Sequence, residues 1–225
     1  MSFRNWILDL LFPKFCFGCK REGNYLCQDC LATIEIFKEH KKLKNEFLDD
    51  LFVATEYKNP LVKKLILALK YEPFAKEIAK DLANLIKIHL KFINKESSFS
   101  DFVLIAVPLS KKKLRWRGFN QAEEIAKELS RFLKIPLISN CLIKIKKTLP
   151  QVMLSEKERK ENLKGVFQVQ NEEKIKNKKI LLVDDVFTTG TTLSEAAKIL
   201  KNSGAKKVIG LVVAIAKPDE DKLTF

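Results

Sequence analysis

An α/β domain built on a parallel sheet, preceded by a small metal-bound knuckle, is the fold class that this 225-residue sequence predicts. Three observations predict it. Apolar runs at residues 102–107 (FVLIAV), 179–184 (KILLVD) and 207–216 (KVIGLVVAIA) show no alternation, so they read as strands buried on both faces. They are separated by amphipathic helical segments, the order expected of parallel strands joined by crossover helices. Four cysteines crowd into residues 16–30, ahead of the first strand, in a segment with little apolar material for a core.

The chain opens with FRNWILDLL, residues 3–11, in which Phe3, Trp6, Ile7, Leu10 and Leu11 recur at helical spacing. Such a stripe docks on the body of the protein or rests on a membrane surface. Arg4 is the only basic residue before Lys14, so the electrostatic half of interfacial binding is thin and docking is favoured. Cys16, Cys19, Cys27 and Cys30 follow as two CxxC pairs. Each pair brings two thiolates to one ion, and Gly18 lets the backbone bend there. Four thiolates in tetrahedral array select Zn²⁺, which substitutes for a missing core; an iron–sulfur cluster and a redox dithiol are the alternatives. The domain boundary is placed at residue 48, with a helix and knuckle over 1–48 and the α/β domain over 49–225.

The α/β domain begins with a strand at 51–57 (LFVATEY). Asn59-Pro60 opens a helix that runs through Lys70, and Pro73 opens a second that runs to about Phe92. A loop (NKESSFSD) leads to strand 102–107, a helix at 120–133, a strand at 142–145 (LIKI), a short VFQV strand and strand 179–184. The last helix spans 192–204, stopped at Ser203-Gly204, before strand 207–216. Cys141 beside Leu142 and Ile143 reads as a core thiol, and neither His40 nor His89 reads as catalytic.

Hydrophobic residues make up 46% of the chain and charged residues 31%, which excludes a disordered protein. No run of eighteen apolar residues occurs and no secretory signal is present at the start, which predicts a cytoplasmic protein without a transmembrane segment. The formal charge of +14 lies mainly in the middle of the chain. A field of that sign favours a polyanion, although a lysine-rich solvated surface produces the same count.

The most informative stretch is LLVDDVFTTGTT, residues 181–192. A strand ending at Asp184-Asp185 and turning through Thr and Gly into a helix aims backbone N–H groups at one spot and forms an anion cradle. Two carboxylates cannot bind that same anion, so they face sugar hydroxyls or a magnesium ion. A phosphate beside vicinal hydroxyls is a ribose 5-phosphate. A second basic stretch follows strand 102–107: Lys111, Lys112, Lys113, Arg115 and Arg117 surround Trp116, with Phe119 beyond. That combination suits pyrophosphate, or a single-stranded nucleic acid that needs cations and stacking surfaces.

Asp184-Asp185-Val186-Phe187-Thr188-Thr189-Gly190-Thr191-Thr192 resembles the phosphoribosyl pyrophosphate motif of type I phosphoribosyltransferases. ALKYE (68–72), VPLSKKKLRWRGFNQA (107–122), TLPQVMLSEKERKENLKGVF (148–167) and the four-cysteine knuckle together resemble the ComF family of competence proteins. The resemblance implies a type I phosphoribosyltransferase-like domain that binds phosphoribosyl pyrophosphate with Mg²⁺. By it, the two aspartates hold the ribose hydroxyls, Thr188 to Thr192 hold the 5-phosphate, and the basic loop meets the pyrophosphate. It also implies a part in moving single-stranded DNA into the cytoplasm during natural transformation, beside the uptake machinery at the inner membrane. A salvage or biosynthetic transferase is the alternative, and no acceptor pocket is legible. Residues 148–165 form the expected mobile loop, with Gln151, Arg159 and Asn162 where the family pattern places them; a solvated helix from Ser155, capped through Glu158, is compatible with it.

Overall fold

The computed structural model describes residues 13–40, 47–71, 75–145 and 165–216. The apolar stripe at 3–11 and the loop residues Gln151, Arg159 and Asn162 lie outside the described residues.

Four strands form the main sheet: β1 (Asp50–Glu56), β2 (Phe102–Ala106), β5 (Lys179–Phe187) and β6 (Lys207–Ile215), in the order β1-β6-β5-β2. Every pairing in it is parallel, with Phe52 opposite Leu211, Leu181 opposite Ile209 and Leu104 opposite Leu181. The expectation of a parallel sheet covered by helices holds. Its cause is visible in the burial: Ile180, Leu181, Leu182 and Val183 are all fully buried, so consecutive side chains enter two different cores.

On one face pack α2 (Pro60–Lys70), α3 (Ile78–Phe92) and α5 (Gln121–Leu133), burying Leu65, Leu82 and Ile125 against Leu181 and Val183. On the other face α6 (Thr191–Asn202) buries Leu193, Ala196 and Leu200 against Ile180 and Leu182. Asn59 caps α2 by accepting hydrogen bonds from the N–H groups of Leu61 and Val62, and Asn120 caps α5 in the same way at Ala122.

Four expectations are corrected. The 142–145 segment is not part of the main sheet: β3 (Leu142–Lys144) pairs antiparallel with β4 (Phe167–Val169) over the second core. β4 shows why, since Phe167 and Val169 are buried and Gln168 is exposed, the alternation of a sheet with one wet face. The second helix begins at Ile78, after turns at 75–77, and not at Pro73, which lies outside the described residues. The strand carrying the paired acids does not end at them but continues through Phe187. The basic segment after β2 is not a loop: it is the short helix α4 (Lys111–Arg117), between Ser110 as N-cap and Gly118 in left-handed conformation at φ 80.

The cysteine segment, with the single turn α1 (Gln28–Ala32), sits against α2, α3 and β1. Leu26, Ile34 and Ile36 belong to the first core, the Phe37 N–H donates to the Ala54 carbonyl at 2.9 Å, and Thr55 Oγ1 donates to the Glu35 carbonyl at 2.6 Å. His89 is buried in the same region and bonds the Phe37 carbonyl through Nδ1 at 2.7 Å, while His40 stacks on Phe52 with ring centroids 4.2 Å apart. Cys141 is buried, as a core thiol should be.

Candidate functional site

Strand geometry separates the two acids. Leu181, Val183 and Asp185 point to the first core, whereas Ile180, Leu182 and Asp184 point to the second. Asp185 is 3% exposed, and its partner is Lys70, the last residue of α2, whose Nζ lies 2.9 Å from Oδ1. Burial pulls the Lys70 ammonium down, and Asp185 more than offsets this, leaving its pKa above the ordinary value. Asp185 Oδ2 is buried with no hydrogen-bond partner among the described residues, and so is Nε of the buried Arg117, whose Nη1 donates to Gln121 Oε1. The Asp185 charge acts on Arg117 and on Lys113, opposing the burial that lowers both.

Asp184 is half-buried, and its Oδ1 accepts the Asp185 N–H at 2.9 Å. Burial, reinforced by the neighbouring Asp185 charge, pushes its carboxyl up to about 7, against Lys70 and Lys144. Lys144 on β3 is in turn brought down to about 8 by burial and by Lys113, with Asp184 opposing. A carboxylate with an orphaned buried oxygen beside a second carboxyl that burial makes hold its proton more tightly is a donor set that fits hydroxyl groups or a Mg²⁺ ion.

The turn after β5 leads from the acids into α6. Gly190 caps α6 at φ 74, and a Cβ there would lie 2.6 Å from Phe187 Cζ, so only glycine fits. Gly190 has no side chain with which to cap α6, so among the described residues no cap hydrogen bond closes this helix end. Thr189 Oγ1 and Thr191 Oγ1 lie 2.8 Å apart at its mouth.

The five cations of α4 do not act as one patch. Lys113 and Arg117, four residues apart, lie within the field of Asp185; Lys111 and Arg115, also four apart, line with Lys112 a cleft of about 650 Å³. Trp116 is 54% exposed and meets the Tyr71 ring edge-on at 6.1 Å. Phe119 is not a free stacking surface: it packs against the first core. Sequence reasoning missed Lys70 and Lys144. Lys70 lay inside the quoted ALKYE segment, whereas no local signal marked Lys144.

At the other end of the chain, the sulfurs of Cys16, Cys19, Cys27 and Cys30 all lie within 4.8 Å of one another. The Cys16–Cys27 and Cys19–Cys27 sulfur separations are 3.7 and 3.6 Å. A tetrahedron with metal–sulfur bonds of ~2.3 Å has edges of roughly 3.8 Å, so the four thiols are positioned to bind a metal and fit Zn²⁺. Burial raises the Cys16 thiol, but the N–H groups of Cys27, Cys19 and Gly18 outweigh it and bring it to about 6. Gly18 serves by size rather than by a special dihedral, because a Cβ there would lie 2.6 Å from Cys30 Sγ.

No helix among the described residues is long and apolar enough to cross a membrane. The model of the phosphoribosyl transferase domain matches residues 116–224. Competence protein F of Haemophilus influenzae is 30% identical over 200 residues, covering 86% of this chain and 86% of that protein. The DNA utilization protein YhgH of Escherichia coli K12 is 32% identical over 70% of this chain and 68% of its own length. Competence protein ComFC of Bacillus subtilis is 38% identical over 46% of this chain and 40% of its own.

Proposed function

This chain belongs to the competence protein F family, and from that premise we propose that it handles incoming single-stranded DNA while holding a phosphoribosyl pyrophosphate ligand. The names of its relatives support the DNA half, and the phosphoribosyl transferase domain match supports the ligand half. In this reading Asp184 and Asp185 take the ribose hydroxyls, and the turn from Thr188 to Thr192 takes the 5-phosphate. Mg²⁺ bound with the ligand would be held from Asp184 and Asp185 and would neutralise phosphate charge. Zn²⁺ in the knuckle is structural, since four thiolates leave it no open position. The protein acts in the cytoplasm, on DNA delivered at the membrane.

The observation that carries this reading is the division of α4. Lys113 and Arg117, with Lys70 and Lys144, surround the acids and supply positive charge for pyrophosphate, while Lys111, Lys112 and Arg115 are left for DNA phosphates. The test is a pair of variants. Lys111→Ala/Lys112→Ala/Arg115→Ala should weaken a single strand and flatten its log–log salt slope by about two, as three phosphate contacts of roughly 0.7 each require, with phosphoribosyl pyrophosphate affinity kept. Asp184→Asn/Asp185→Asn should do the reverse. An unchanged salt slope in the first variant would refute the DNA assignment, and unaltered ligand affinity in the second the ribose assignment. Steady pyrophosphate release on adding nucleobases would instead establish a transferase.

A further inference from the structure

The cleft beside α4 has a chemistry of its own. Lys111, Lys112 and Arg115 border it on one side and Lys144 on the other. Glu123 is the only acid among the described residues lining it, and it is engaged by Ser139 Oγ at 3.1 Å and by Lys127 Nζ at 4.0 Å. The floor is aliphatic, formed by Ile105, Leu137 and Leu142, and the rim is polar, formed by Ser139, Asn140 and Gln170. About 650 Å³ is the size of a small-ligand site and too small for a secondary-structure element.

An aliphatic floor walled by cations suits a ligand with a flat apolar ring joined to anionic phosphates. A nucleotide has those two parts in that order, and an unpaired strand can turn its base out to reach such a floor. Duplex DNA cannot, because its bases are stacked and paired. We propose that the cleft between α4 and residues 137–145 takes one nucleotide of a single strand, its base on the aliphatic floor and its flanking phosphates on Lys111, Lys112 and Arg115.

This rests on the assignment of α4 to DNA and deepens it, from a charged face to a seat for one base. Lys144 belongs to both sites, because it lines the cleft and lies within the field of Asp184. Occupation of the cleft by an anion and occupation of the acids' site are therefore linked through one ammonium group.

The test uses the full chain, a fluorescent oligothymidylate and an abasic strand of the same length. The unaltered protein should bind the thymidylate about tenfold more tightly than the abasic strand, the factor expected of burying roughly 55 Å² of apolar base surface at ~25 cal/mol per Å². Ser139→Trp, which fills the cleft from its exposed rim without removing a cation, should abolish that preference and leave the salt slope unchanged. Gln170→Trp, from the opposite rim, should act in the same way and decides the matter if Ser139→Trp lowers the melting temperature. A preference for thymidylate that survives in a folded cleft-filled variant would overturn the base seat while leaving the DNA assignment standing. Equal affinity of Lys111→Ala/Lys112→Ala/Arg115→Ala and the unaltered protein for both strands would instead remove the DNA assignment beneath it. Displacement of the strand by thymidine monophosphate at matched nucleotide concentration would show a free-nucleotide site and overturn the proposal.

Discussion

Replacing Lys70 with Met removes the counter-charge of Asp185 while keeping an unbranched side chain of similar length. Asp185 is 3% exposed and Oδ2 has no hydrogen-bond partner among the described residues, so none of these offers the carboxylate a second hydrogen bond to fall back on. Breaking one side of a buried pair costs about 3–5 kcal/mol; the Lys70 side chain is 25% exposed and the pair partly screened, which sets the expectation at about 3 kcal/mol. The assay is urea unfolding at neutral pH, with the denaturant slope held equal between variants. Lys70→Met/Asp185→Asn should recover most of the loss, because no uncompensated charge remains, and should leave a coupling of about 2 kcal/mol in the double-mutant cycle. A loss under about 1 kcal/mol, or strict additivity in the double variant, would refute the buried-pair reasoning.

Gly190→Ala should lower stability by about 1–2 kcal/mol for its left-handed backbone alone, with more from the approach to Phe187. It should also weaken the anion cradle, and a melt with calorimetry on phosphoribosyl pyrophosphate would expose an unaffected site. Gly18→Ala should reduce metal affinity on the order of tenfold through contact with Cys30 Sγ, read by competition with a chromophoric chelator; retained affinity contradicts the packing argument. Chelation should lower the melting temperature of the whole protein, since Leu26, Ile34 and Ile36 are part of the first core; a separate early transition confined to the knuckle would count against that. Asp184 gives opposite pH trends for stability and binding. Its folded carboxyl is raised, so its contribution to stability is full below the unfolded value near 3.8 and lost as pH rises through about 7. Affinity for phosphoribosyl pyrophosphate, which needs the ionised carboxylate, should grow over that same rise, and a flat profile on either side of it would remove Asp184 from the site.

Much of the fold was legible because its signals are local. Buried strands without alternation, Asn59-Pro60 opening its helix and paired CxxC spacing all operate within a few residues, and each appears in the structure as read. α4 was missed although its punctuation was present, Ser110 before it and Gly118 after it. KKKLRWR has no apolar period, and a reading based on periodicity passes over it. LIKI was misplaced for a related reason: three residues fix a strand conformation but not which sheet receives it.

The sequence by itself determined the kinds of residue brought to bear: four cysteines spaced for a metal, a Thr/Gly turn behind two acids, and a cluster of cations. Tertiary structure decided how they are shared out. It set Asp185 against Lys70 from a distant helix, left Asp184 on the opposite face, and divided five neighbouring cations between an acid-lined site and a cleft. Periodicity fixes which side chains share a face of one element. What that face meets depends on how helices and strands far apart in the chain pack to bury their apolar sides, and no local pattern records it.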